Sequence, residues 1–207
     1  MLTGWCPFYK QKDLLFAMNI RIAILVLGLL SFTACHNRGN VQNVEVKTPT
    51  PSQQKLINEG WTAVTLNEDL TKEYGMNPIY GMQDNYFDIK MGKGCNVAVK
   101  IMDLRTDKCI RYVYVAENTT TTVQEIPQGV YYLKLAYGYD WMEKETDDGK
   151  QGKFTRNVLY ERSQDTFDFG IKNSNDEINY RLDINVVDSK LENNFHAIPI
   201  DEKEFMK

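Results

Sequence analysis

The stretch EINYRLDINVV, Glu177 to Val187, alternates strictly between apolar and polar residues. Ile178, Tyr180, Leu182, Ile184 and Val186 fall on one side, and Asn179, Arg181, Asp183 and Asn185 on the other. Successive side chains of a strand point to opposite faces, so this spacing predicts a strand with one buried and one wet face. That division is the pattern of an antiparallel sheet with solvent on one side.

The same period continues upstream. Phe87, Ile89 and Met91 alternate with polar residues, as do Val97, Val99 and Ile101 with Ala98 and Lys100. CIRYVYVA follows the turn LRTDK and closes a hairpin, and TTTTVQEI is a β-branched run. VYYLKLAYG puts Tyr131, Leu133, Leu135 and Tyr137 on one face, while KFTRNVLYE and DTFDFG read as shorter strands. Seven or eight short strands with turns every 8–12 residues predict an all-β, antiparallel β-sandwich over residues 84–207. Residues 53–83 read as an N-terminal addition to the sheet, with a short helix over NEDLTKEYG capped by Asn67 and ended by Gly75.

In Ile126-Pro127-Gln128-Gly129-Val130-Tyr131, proline and glycine make a turn and an aromatic strand follows. With VAVKIMDLRTDKCIRYVYV before it, this hairpin resembles the transthyretin-like (carboxypeptidase regulatory-like) β-sandwich domain. It is also similar to uncharacterised Bacteroidota lipoproteins that carry such a domain. The resemblance spans roughly residues 84–187 and implies a fold that binds or supports. It carries over no catalytic residue.

The N-terminal part has a different character. Arg21 precedes an apolar run, Ile22 to Phe32, of 11 residues. A spanning helix needs about 20 apolar residues, whereas a secretory signal core needs about 7–15. MNIR at Met18 reads as a natural start, with residues 1–17 an upstream extension. Phe32-Thr33-Ala34-Cys35 resembles the lipobox of bacterial lipoproteins, with Phe32 in place of the usual leucine. The resemblance implies a signal over residues 1–34, cleavage before Cys35 and diacylglycerol on its thiol. It implies a lipid-anchored protein of the bacterial cell envelope, the outer membrane foremost. Residues 35–52 read as a flexible stalk, which as a coil spans roughly 20–25 Å.

Removing residues 1–34 takes away Lys10, Lys12, Arg21 and Asp13, so 24 basic and 28 acidic residues become 21 and 27, a net charge of −6. An acidic chain is a poor match for nucleic acid, which selects a basic patch. Its membrane contact is expected through the lipid on Cys35 alone. Aromatic residues make up 12% of the chain, enough to build a core.

Catalytic chemistry is sparse. The histidines are His36, in the stalk, and His196, which reads as a loop residue. No serine sits in a nucleophile-elbow motif. No cofactor motif and no metal-ligand spacing occurs. The acid-rich stretch MEKETDDGKQGK reads as a solvated hairpin loop, because it departs from the alternating ligand pattern of a calcium loop. Tyr137, Tyr139 and Trp141, in YGYDW, are the candidate ligand contacts, with Gly138 breaking the strand so that the rings project onto a glycan or a peptide. Core packing is the competing reading of the same rings. In the predicted hairpin register Cys109 faces Met102 and Cys95 faces Ala116, too far apart for a disulfide. Both thiols are therefore expected to be free and mostly buried. The expected function is a non-enzymatic binding or assembly module. The alternative is a carboxylate-dependent envelope hydrolase acting on glycans.

Overall fold

The computed structural model describes residues 48–66, 68–170 and 178–207. Cys35, His36, the stretch read as a signal and most of the stretch read as a stalk lie outside the described residues, as does Asn67. The described residues belong to one compact unit, Lys47–Lys207.

The chain begins with α1 (Pro51–Asn58) and β1 (Thr62–Ala63), followed by β2 (Tyr86–Met91), β3 (Asn96–Asp103), β4 (Cys109–Val115) and β5 (Thr119–Gln124). A long hairpin, β6 (Val130–Thr146) and β7 (Gly149–Ser163), comes next, then β8 (Phe167–Asp168), β9 (Tyr180–Val187), β10 (Lys190–Asn193), β11 (Ala197–Pro199) and α2 (Glu202–Met206). One sheet has the order β11-β7-β6-β3-β4, with β1 and β8 also pairing to β6. The other has the order β10-β9-β2-β5. The protein is mostly β, with two sheets facing each other as in a sandwich.

The second sheet is mixed, not purely antiparallel. β9 runs parallel to β2, with Leu182 opposite Ile89 and Ile184 opposite Met91. The alternation in Glu177–Val187 sets which side chains point inward and is silent about strand direction. The inward set agrees with the pattern: Leu182 and Ile184 are buried, and Tyr180 and Val186 pack at the core margin. Phe87, Ile89 and Met91 from β2 meet Val97, Val99, Leu133, Leu135 and Tyr137 from the other sheet in one core.

The first sheet is buried on both faces, which period two alone does not reveal. Its outer face carries Ala98, Tyr112, Tyr114, Ala136, Trp141 and Phe154, covered by Leu70 and Tyr74 from the N-terminal segment and by Phe205 from α2. β4 is buried at every residue after Cys109 for this reason. The N-terminal segment attaches to the sheet at both ends. Thr62 pairs with Glu143 and Ala63 with Met142, and Leu70 N–H donates to the Tyr112 carbonyl at 2.7 Å.

The expected helix over NEDLTKEYG is absent from residues 68–75, where Asp69 forms a bridge to Val113 and a turn follows. The backbone there is committed to the edge of β4. A helix forms earlier, starting at the end of the stretch read as stalk and running through Asn58 into the N-terminal addition. Thr50 accepts from Gln53 N–H and Gln53 returns the bond to Thr50 N–H, a capping box with proline at the first turn.

Two lysines lie on the outer face, paired across the β3–β6 ladder. Lys100 Nζ donates to the Phe205 carbonyl at 2.8 Å, and Lys134 Nζ donates to the Glu204 carbonyl at 3.0 Å. They thus satisfy carbonyls at the end of α2, where cations are favoured. Burial lowers Lys100 to about 8.

The hairpin register holds near the turn and then slips. Met102 faces Cys109 as predicted, but a bulge between Ile101 and Met102 shifts the rest by one, giving Val97 opposite Val115. Cys95 is buried and Cys109 half-buried, and both thiols are free. Burial pushes both up to about 11.

Leu182→Asp is expected to prevent folding, because a buried unpaired carboxylate costs several kcal/mol against a domain stability of about 5–15 kcal/mol. Arg181→Asp, on the wet side of the same strand, is expected to change stability by less than about 1 kcal/mol. Circular-dichroism melting distinguishes the two, and equal losses would contradict the facing of β9.

Candidate functional site

YGYDW lies inside β6, which runs unbroken from Val130 to Thr146. Gly138 does not end the strand. It permits close approach of β7, since a Cβ at this position would stand 2.7 Å from the Phe154 Cβ. The ladder with β7 shifts register between Tyr137 and Tyr139, and Asp140 adopts a left-handed φ of 55°. The strand swaps faces across this irregularity. Tyr137 and Tyr139 therefore belong to the core between the sheets, while Trp141 belongs to the outer one.

The three proposed ligand contacts are consequently separated. Tyr137 and Trp141 are only 2% and 1% exposed, so neither presents an open ring face. Trp141 packs edge-on against Phe154 and Tyr114. Its indole N–H reaches the Tyr74 hydroxyl at 3.1 Å. Tyr139 is half-buried, donates to the Gly94 carbonyl and carries the Arg156 guanidinium 4.3 Å above its ring. Core packing accounts for Tyr137 and Trp141.

The irregular stretch nevertheless lies between two cavities. On the outer side a cleft of about 650 Å³ is lined by Thr48, Gln53, Ile57, Val64, Met142 and Arg156, among others. The chain enters the fold along this cleft, through Thr48 to Gln53. Its charged lining groups, Asp140 and Arg156, are paired: Arg156 Nε meets Asp140 Oδ2 at 2.6 Å and Nη2 meets Oδ1 at 3.2 Å. This bond holds Arg156 above its ordinary value. On the inner side a smaller cavity of about 310 Å³ is lined by Tyr137, Tyr139, Cys95, Leu159, Val186 and Leu191, among others.

The acidic stretch read as a solvated loop is mostly strand. Pairing continues to Thr146 opposite Gly149, leaving only Asp147 and Asp148 in the turn. Glu143 is buried, accepting from the Tyr74 hydroxyl at 2.8 Å and the Trp141 indole at 3.3 Å, with Lys150 3.6 Å from its other oxygen. Among the described residues, no group of three or more His, Cys, Asp or Glu is placed to hold a metal ion. His196 is exposed on a loop, with Nδ1 3.2 Å from an Asp165 oxygen. Hydrogen bonds from His196 keep the Asp165 carboxyl below its ordinary value.

Sequence reasoning missed Arg111, which is 1% exposed, stacks 4.1 Å from the Tyr80 ring and donates to the Ile110 carbonyl at 2.9 Å. It sits in RYVYV beside alternate tyrosines, so the polar half of that pattern was itself aromatic. That was the available sign that both faces are covered.

No protein-family model, curated protein or solved structure matches this chain. What the fold and geometry define is therefore a class: a mostly β, two-sheet protein with an open cleft whose charged groups neutralise each other.

Trp141→Ala is expected to cost about 3–5 kcal/mol in urea denaturation, the usual range for deleting a buried aromatic ring. Tyr139→Phe is expected to cost about 1 kcal/mol, the worth of one hydrogen bond. A loss below about 1 kcal/mol for Trp141→Ala would contradict its place in the core.

Proposed function

We propose that this chain is a non-enzymatic, lipid-anchored binding or assembly module of the bacterial cell envelope. In this reading, residues 1–34 are a lipoprotein signal with an upstream extension, Cys35 carries the lipid, and the following stalk leads to a transthyretin-like sandwich. The observation that carries the binding half is the 650 Å³ cleft. Its carboxylate, Asp140, is held in a two-point bond by Arg156. Both oxygens of this carboxylate are engaged by the guanidinium. The buried Glu143 is likewise engaged, by Tyr74, Trp141 and Lys150. The cleft combines apolar wall with fixed polar groups, as ligand sites commonly do. The anchoring half rests on the short apolar run, the residues before Cys35 and the absence of polybasic character in the remaining chain.

Two experiments test the halves separately. A screen of the purified protein against chromogenic glycosides is expected to show no turnover. Robust turnover abolished by a single Asp or Glu substitution would replace this reading with that of a carboxylate hydrolase. For the anchor, metabolic labelling with a radioactive fatty acid is expected to mark the wild type and leave Cys35→Ala unlabelled. The labelled protein should enter the detergent phase on phase partition. Equal labelling of both proteins would overturn the lipid anchor.

A further inference from the structure

β4 and β5 are the last strands of their sheets. A cavity of about 190 Å³ lies between them, lined by Asp69, Tyr80, Arg111, Val113, Gln124 and Glu125, among others. Asp69 is fixed there by its bridge to Val113 on β4. Arg111 is the buried wall of this cavity. Its Nη1 donates to the Ile110 carbonyl at 2.9 Å and to the Ile79 carbonyl. Its Nη2 is buried with no hydrogen-bond partner among the described residues. Arginine keeps its charge in a folded protein. A cation is therefore held out of water with a donor unanswered, which costs free energy until an acceptor arrives.

The cover over this group is slight. Tyr80 stacks 4.1 Å from the Arg111 guanidinium yet is 54% exposed, so its ring stands between Arg111 and solvent. Residues 77–80 have no regular structure. Flanking backbone bonds hold Met76 N–H to the Thr71 carbonyl at 3.0 Å and Gly81 N–H to the Glu125 carbonyl at 2.7 Å. In this closed arrangement the Ile79 carbonyl occupies one arm of the guanidinium. Lifting residues 79 and 80 takes that carbonyl away and presents Nη1 and Nη2 together, the fork that grips a carboxylate by both oxygens.

The rim has the opposite sign. Asp69 and Glu125 are exposed and line the same cavity. Two carboxylates beside one guanidinium repel a phosphate or a dicarboxylate and attract ammonium groups. One buried cation and two rim anions are the inverse of a molecule with one carboxylate and two ammonium groups. The volume lies below the roughly 300–1,000 Å³ of sites for drug-sized ligands, which restricts the occupant to a smaller molecule.

We propose that Arg111, Asp69 and Glu125 form a binding site for a free basic amino acid, its carboxylate on Arg111 and its ammonium groups on Asp69 and Glu125, closed in this structure by Ile79 and Tyr80. The lining residues are distinct from those of the 650 Å³ cleft.

A residue-resolved NMR titration of the full chain with L-lysine at neutral pH tests the site. Saturable shifts are expected at the Arg111 side chain and at the amides of Ile79, Tyr80 and Gly81. The amides of Val64 and Met142, which line the outer cleft, are expected to stay level. Succinate and inorganic phosphate at matched ionic strength are expected to leave all these signals in place. Arg111→Lys is expected to weaken L-lysine binding about tenfold or more, since it keeps the charge and loses the fork. Should that variant fail to fold, Asp69→Asn combined with Glu125→Gln decides. Both side chains are exposed, and asparagine keeps the Oδ1 that accepts from Thr71 N–H at 2.8 Å. This pair is also expected to weaken L-lysine about tenfold or more. No saturation by ~10 mM L-lysine, a weak-site limit, would overturn the site. Equal saturation by succinate or phosphate, shifts confined to the outer cleft, or unchanged affinity in a folded variant would do the same.

Discussion

The outer face of the β11-β7-β6-β3-β4 sheet has to be kept from water, and much of the structure follows from that requirement. Tyr112, Tyr114, Trp141 and Phe154 form a patch of rings there. Left open, a patch of this kind favours association. Leu70, Tyr74 and Phe205 close it. The N-terminal segment is therefore pinned at Thr62–Ala63 and again at Leu70. The five-residue helix α2 is far too short to be stable alone. It is held by Phe205 beneath and by Lys100 and Lys134 at its end.

Covering that face places polar groups in the interior, and each is answered locally. Glu143 receives Tyr74 and Trp141, and Lys100 and Lys134 find carbonyls. Elsewhere, Arg111 Nη2, Glu161 Oε2 and Asn193 Oδ1 are buried without a hydrogen-bond partner among the described residues. Networks that are fully satisfied rigidify a core.

The β6–β7 hairpin links these regions. Its register shift after Tyr137 and the left-handed Asp140 let one strand serve two cores. The same irregularity places the outer cleft and the inner cavity on opposite sides of five residues. The aromatic cluster seen in the sequence thus marks the right place for a site, although its rings mostly build the walls.

Much was determined by the sequence alone. Alternation fixed the inward residues of β2, β6 and β9, because a strand cannot place neighbours on one face. The Met102–Cys109 pairing and the free thiols followed from turn position and reach. The helix capped at Thr50 was not read from the sequence, where residues 35–52 were expected to be a stalk. Only the tertiary structure decided the rest. Strand direction in the β2–β9 pair is invisible to periodicity, since parallel and antiparallel partners share the same alternation. The burial of Lys100, Arg111 and Lys134 depends on segments distant in sequence that fold over them. The exchange of faces at Asp140 depends on a backbone angle that the partner strand imposes, so the separation of Tyr137 from Trp141 was a property of the assembled sheet.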